Sequence, residues 1–401
     1  MKKSIADVDP RWLDGRAVVM RVDFNVPLGP GGVTDDHRIR ETLPTLDLLR
    51  KAGARVVLLS HLGRPGGEVK AEFSLAPVAE ELGLLLGTAV RFSPSPDGAE
   101  ATRAVAELGP GDVALLENTR YRAGDEGNDP ELAAFWAGLG DLFVNDAFGV
   151  AHRAHASTSG LAEAMQRRGG EAVAGLLMAR ELRYLQDALE APERPFTAIL
   201  GGAKISGKIG VISALLGRVD RLLIGGAMAN TFFRALGLDT GASLVEEDSI
   251  GLAERLIEEG GERLMLPIDC VVAPEVAEGA PTRPVSRDAV SGDDKIVDIG
   301  PTTRKLFADE IARSRSILWN GPMGVFEIDA FAEGTMAIAG AIAEACDAGA
   351  MGVIGGGDSG AAVERAGVSD RVSHVSTGGG ASIKLLAGAR LPGLDSLTEA
   401  G

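Results

Sequence analysis

The chain has 401 residues, 45% of them hydrophobic, and a formal net charge of −17 at pH 7. Length and apolar content predict two domains, each with its own core, in a soluble protein, because every apolar run falls far short of the roughly 20 residues of a membrane helix. The acidic balance excludes a sequence-independent nucleic-acid binder, which needs a basic footprint to displace counterions. The opening MKKSIADVDPRW carries two lysines with no apolar stretch behind them, so no secretory signal is read and a cytoplasmic location is expected. Cys270 and Cys346 are read as small buried hydrophobes in a reducing compartment.

Short β-branched or leucine-rich runs alternate with helical stretches along the chain, which predicts an α/β fold of βα units on parallel sheets. Strands are expected at 17–22, 54–60, 112–117 and 141–145. A long helical stretch over about 171–190 then serves as connector, with Val173, Leu176, Leu177, Leu182 and Leu185 facing a core. Further strands are expected at 196–200, 220–225, 268–273, 316–319, 350–354 and 373–376. Two sheets fit this set better than one.

Polar and glycine-rich clusters come directly after the strands. Ligands of open parallel sheets bind outside the carboxyl ends of the strands, so Asp23-Phe24-Asn25, His61-Leu62-Gly63-Arg64, Arg120 and His152-Arg153-Ala154-His155 should converge on one sheet edge. Gly201 to Lys208, Gly225 to Asn230, Asn320 to Glu327 and Gly355 to Ser359 should converge on another. Two such edges facing across a cleft would make a two-substrate site.

The first set is an anion site in prospect. Arg21, Arg38, Arg64, Arg120 and Arg153 lie in or near loops, and the arginine fork suits phosphate or carboxylate. Each could instead form an ordinary surface ion pair, Arg38 with Asp35 or Asp36 above all. Asp23 and Asn25 could close a turn or bond a substrate hydroxyl.

The second set suits a nucleotide. Gly202 to Lys208 reads G-x-x-x-x-G-K, but Ile209 stands where a P-loop needs Ser or Thr for Mg²⁺. Gly355 to Gly360 fits G-x-G-x-x-G, yet it comes late in the chain with no acidic residue about 20 positions on, so a dinucleotide fingerprint is a weak reading. Asp358 is read as a Mg²⁺ ligand or a helix N-cap, and Glu327 as a ribose ligand or a solvated acid. A Rossmann dehydrogenase and a non-catalytic anion-binding protein are the competing readings.

In order along the chain, RVDFNVPL (21–28), DDHRIRETLPT (35–45), LLSHLGRP (58–65), LLENTRY (115–121), FVNDAFGVAHRAHAS (143–157), AILGGAKISGKI (198–209), LLIGGAMANTF (222–232), LWNGPMGVFE (318–327), GGGDSGAAV (355–363) and STGGGASI (376–383) resemble the signatures of phosphoglycerate kinases. The resemblance spans essentially the whole chain. It implies two doubly wound, Rossmann-like parallel-sheet domains joined by a helical hinge. These are a 3-phosphoglycerate-binding domain over 1–172 and a nucleotide-binding domain over 173–385, with the tail 386–401 returning to the first. It implies a monomer that closes on 3-phosphoglycerate and MgATP, or on 1,3-bisphosphoglycerate and MgADP, with no nucleic-acid or membrane partner.

Carried over, Asp23, Phe24, Asn25, Arg38, His61, Leu62, Gly63, Arg64, Arg120 and Arg153 bind the glycerate ligand. Gly202, Ala203, Lys204, Lys208, Gly225, Gly226, Asn320, Pro322, Glu327, Gly355, Gly356, Gly357, Asp358 and Ser359 serve the nucleotide, Asp358 holding Mg²⁺. Arg38, Lys204, Gly357 and Gly380 are implied in catalysis. Ser359 for the frequent Thr, Ala227 for a Gly, and Ser206-Gly207 for a more polar pair depart from the commonest pattern.

Overall fold

The computed structural model describes residues 2–190 and 192–400, the side chains of 186–190 excepted. The chain divides into two compact units, Met1–Leu182 with Arg390–Gly401, and Arg183–Ala389. This division falls at 182/183, where the sequence placed a boundary at 172/173, and residue 401 of the expected tail lies outside the described residues.

In the first unit, β1 (Ala17–Arg21) is followed by the short hairpin β2–β3 (Leu28–Gly29 and Gly32–Val33), then β4 (Arg55–Leu59), β5 (Arg91–Ser93), β6 (Val113–Leu116), β7 (Leu142–Asn145) and β8 (Glu171–Ala174). Six of these form a parallel sheet in the order β5-β6-β4-β1-β7-β8. The central strands are buried along their length, which is why they read as continuous apolar runs rather than as alternation. Helices cover both faces, and local signals set their ends. Asp129 precedes Pro130 and its Oδ1 accepts the N–H groups of Glu131 and Leu132 at 2.8 and 3.0 Å, which starts the helix Pro130–Ala137.

The second unit carries β9 (Phe196–Leu200), β10 (Arg221–Ile224), β11 (Leu264–Met265), β12 (Asp269–Ala273), β13 (Arg283–Ser286), β14 (Lys295–Ile299), β15 (Ser316–Asn320), β16 (Met351–Gly355) and β17 (His374–Val375). Its parallel sheet runs β11-β10-β9-β15-β16-β17. In each sheet the strand order reverses beside the first strand, at β1/β7 and at β9/β15. Arg21 is level with Leu59 and Asn145, and Asn320 with Leu200 and Gly355, so the chains leave each sheet together at its switch point.

Two expectations need correction. Residues 171–174 are not the start of the connecting helix: Val173 pairs with Val144 in the sheet, and the helix begins at Leu176. Gly175 makes the break, because a Cβ there would lie 2.2 Å from Asp146 Oδ1, the atom that accepts the N–H of Met178. The run 268–273 is a strand, but β12 pairs antiparallel with β13 and β14 in a separate three-stranded sheet. An apolar run of five or so residues looks the same in either kind of sheet.

Asp298, near the end of β14, binds that small sheet to its surroundings. It is 2% exposed and accepts the N–H of Ile299 at 2.8 Å and of Gly334 at 2.6 Å, with Arg304 Nη2 at 3.3 Å. Burial pushes its carboxyl up to about 7, against those two N–H groups and Arg304. Gly175→Ala should destabilise the first unit by about 1–3 kcal/mol through overpacking, read as a lower urea midpoint. Between the ordinary value of 3.8 and about 7 the folded state holds a proton that the unfolded chain releases, so Asp298 makes stability fall as pH rises. The urea midpoint of Asp298→Asn relative to wild type should therefore climb from about pH 5 to about pH 8, and a flat difference would contradict this assignment.

Candidate active site

At the carboxyl edge of the first sheet the predicted basic residues come together. Asp23, two residues beyond β1, accepts a hydrogen bond from Arg38 Nη1 at 2.7 Å. Arg38 lies near the start of the helix His37–Lys51 and is tied to this edge, while Asp36 pairs with Arg40 at 2.7 Å. The surface-pair alternative for Arg38 is not the one realised. Asn25 Oδ1 accepts the N–H of Gly63 at 2.8 Å, which leaves its NH₂ without a partner among the described residues. Gly63 has φ +60° and a Cβ there would meet the Phe73 ring at 2.3 Å, so only glycine fits. Its carbonyl accepts from Arg120 Nη1 at 2.7 Å, and Arg120 Nε lies 3.3 Å from Glu126.

Arg64 is exposed with no ion-pair partner among the described residues, and half-buried Arg153 donates from Nε to His152 Nε2 at 3.2 Å. Phe24 and Leu62 turn their side chains into the hydrophobic core, so only their backbone is left for a ligand. Burying Phe24 contributes roughly 1.5–3 kcal/mol to holding the loop. His61 is 3% exposed. Burial, then Arg21, Arg120, Arg38 and His155, keep it well below the usual histidine range and therefore neutral. His155 is pushed down to about 4 by burial, against the opposing charge of Asp125 and with Arg21 and Arg120 adding to the shift. Asp125, fully buried beneath this cluster, was not singled out in the sequence, where it is one acid among several in AGDEGND.

At the carboxyl edge of the second sheet, backbones rather than charges meet. Gly202 N–H donates to Pro322 O at 2.9 Å and Gly226 N–H to Met323 O at 3.0 Å. A Cβ on Gly226 would lie 2.5 Å from Gly202 N, and one on Gly225 2.4 Å from Met323 Sδ. The glycines thus let three strand-end loops cross at van der Waals distance. The two lysines of the 201–208 turn differ: Lys204 is exposed, whereas Lys208 Nζ donates to Gly201 O, Asn320 O and Asn320 Oδ1 at 2.7, 2.9 and 2.6 Å. All three ammonium hydrogens of Lys208 are used, and burial brings its pKa down to about 8 despite Asp358 nearby.

Asn320 is spent in the same brace, donating from Nδ2 to Gly355 O at 2.8 Å, and Ser359 Oγ accepts the N–H of Gly321 at 2.6 Å. Lys208, Asn320 and Ser359 therefore hold the site's backbone. Gly356, with φ +91°, occupies the N-cap position of the helix Gly357–Arg365, and Asp358 stands exposed in its first turn. Gly380 opens the short helix Gly380–Leu386. A groove of about 250 Å³ runs beside these loops. Gly202, Ala203, Gly226, Ala227 and Gly324 line it with Ile296, Val297, Pro322, Met323 and Val325, and the acids Asp298, Glu327 and Asp358 also border it. Apart from those acids the groove is apolar side chain and bare backbone, which suits a flat heterocycle with phosphates directed to a helix N-terminus. Among the described residues no three His, Cys, Asp or Glu side chains gather as a metal cage. A single exposed carboxylate such as that of Asp358 would be enough to hold a Mg²⁺ that keeps its waters and phosphate ligands.

A family model described as phosphoglycerate kinase matches residues 5–389. A phosphoglycerate kinase of Rubrobacter xylanophilus is 54% identical over 398 residues, covering 99% of this chain and 98% of the relative. One of Chloroflexus aggregans is 53% identical over 405 residues, covering 100% and 99%. Among solved structures, phosphoglycerate kinase from Coxiella burnetii matches with a TM-score of 0.87 at 40% identity, covering 99% of this chain and 98% of its own. That from Pyrococcus horikoshii OT3 matches with a TM-score of 0.85 at 31% identity over the same shares. The chain belongs to the phosphoglycerate kinase family.

Proposed function

We propose that the basic edge of the first unit holds 3-phosphoglycerate or 1,3-bisphosphoglycerate, and that the glycine-lined groove of the second holds ATP or ADP. The reaction is the family's reversible phosphoryl transfer from 1,3-bisphosphoglycerate to ADP, a step of glycolysis and its reversal. The observation that carries the residue-level reading is the concentration of Arg38, Arg64, Arg120 and Arg153 with neutral His61 at one sheet edge, in a chain of net charge −17.

The accepting carboxylate of 3-phosphoglycerate is ionised at neutral pH, so the reaction needs no general base, and a neutral His61 fits that requirement. Catalysis reduces to alignment and neutralisation of charge. Arg38, half-exposed and oriented by Asp23, and Lys204, exposed on its glycine turn, neutralise the phosphoryl group in transit. Asn25, His61, Arg64, Arg120 and Arg153 bind the glycerate ligand. Backbone N–H groups at Gly357 and at Gly379–Gly380 cradle phosphate oxygens, and Glu327 bonds the ribose. Asp358 holds the Mg²⁺ that arrives with the nucleotide, and the metal supplies neutralisation of phosphate charge. The protein acts on these small molecules as a cytoplasmic monomer, the reading that accompanies its family membership. Among the described residues no helix is long and apolar enough to cross a membrane.

The test is ATP consumption by the purified protein with 3-phosphoglycerate, coupled through glyceraldehyde-3-phosphate dehydrogenase to NADH oxidation. Turnover should require 3-phosphoglycerate and vanish with EDTA; turnover that survives chelation would remove Asp358 from its assigned role. Arg38→Ala should lower kcat by roughly 10³-fold with a much smaller change in the KM for ATP. Retention of more than about a tenth of wild-type activity would refute its part in the transfer.

A further inference from the structure

Arg21 ends β1 at the centre of the anion edge, yet it is 0% exposed and cannot touch a ligand. Its donors are committed inside the protein. Nε donates to Ser157 Oγ at 3.0 Å, Nη1 donates to the carbonyl of Val22, and Nη2 lies 3.2 Å from His61 Nδ1. A guanidinium has no acceptor, so in the last contact Nδ1 must accept and carries no proton. The single imidazole proton is then on Nε2, which has no partner among the described residues. Arg21 is held in turn: the N–H of Ser157 donates to Oδ1 of fully buried Asp125 at 3.0 Å, and the other Asp125 oxygen has no hydrogen-bond partner among the described residues.

We propose that Arg21, seated by Ser157 and Asp125, is a positioning residue that fixes His61 as the Nε2-protonated tautomer and so presents one neutral hydrogen-bond donor to the anionic substrate. The proposal rests on the reading of the basic edge as the glycerate site. The competing tautomer would place an N–H at Nδ1 facing the Arg21 N–H, and would aim a lone pair from Nε2 at a phosphate or carboxylate. Asp23 Oδ1, 3.7 Å from Nδ1, favours that wrong tautomer, and the closer guanidinium opposes it. The remaining groups around His61, namely Arg38, Arg120 and His155, are basic and disfavour a second proton on the ring. The tautomer of a histidine is set by the bond its other nitrogen makes, and here that bond leads back through buried Arg21 to the Ser157 hydroxyl and, by the Ser157 backbone N–H, to buried Asp125.

The test is long-range proton–nitrogen NMR correlation on full-length protein labelled with ¹⁵N-histidine, the His61 ring signals being assigned by their loss in His61→Gln. In wild type, Nδ1 should show the shift of an unprotonated ring nitrogen and Nε2 that of a protonated one, unchanged from about pH 5.5 to about pH 8. Ser157→Ala, which frees Nε of Arg21 while keeping its charge, and Arg21→Lys should give mixed tautomers. Both should raise the KM for 3-phosphoglycerate several-fold, more than they lower kcat. A proton on Nδ1 in wild type, titration of His61 near the ordinary histidine value, or an unchanged tautomer in both variants would overturn the proposal. Saturating 3-phosphoglycerate should shift the Nε2 signal. If the tautomer is as stated but that signal does not move, the glycerate-site reading fails and the relay stands.

Discussion

Burial of positive charge is the constraint on which the first unit is built. An acidic chain gathers Arg21, Arg38, Arg120 and Arg153 with two histidines at one sheet edge, and cations packed so closely repel one another and lose hydration. The structure offsets this with a small number of acids in fixed places: Asp23 on Arg38, Glu126 beside Arg120, and Asp125 beneath Arg21, Arg120 and His155. Burial still lowers the pKa of both Arg21 and Arg120. The two histidines respond by staying neutral. The edge is therefore poised for an anion, which relieves the repulsion that the protein's own acids leave uncompensated.

The second unit solves the opposite problem. Its sheet edge supplies shape and backbone donors instead of a ring of arginines. Gly201, Gly225, Gly226 and Gly321 let three loops interleave where any side chain would collide. Lys208 then locks the crossing by bonding two strand ends at once. One lysine of the pair is thus a structural brace, and the other stands exposed.

Much of this was legible in the sequence because parallel sheets confine ligands to one edge, and polar clusters after apolar runs mark that edge. The four central strands of each parallel sheet lie where the periodicity put them, apart from an end residue or two. The edge strands at 91–93 and 264–265 are too short to carry a pattern. The strand at 171–174 was masked because EAVA joins a helical run without a visible break until Gly175 is seen against Asp146. Site chemistry was legible by residue type but not by commitment. Lys204 and Lys208 look alike in a motif, as do Arg21 and Arg38. Which of each pair is free depends on which carbonyl, hydroxyl or ring nitrogen lies within 3 Å or so, and that is a property of the fold. Asp125 could not be found at all, since its meaning lies in its full burial.

A crystal structure of the full chain with 3-phosphoglycerate and MgADP tests this arrangement most directly. The phosphoglycerate should lie at hydrogen-bond distance from Arg38, Arg64, Arg120 and Arg153, with His61 Nε2 donating to it, and the base in the groove formed by Gly202, Gly226 and Met323. Phosphoglycerate bound away from those arginines, or a nucleotide outside that groove, would contradict it.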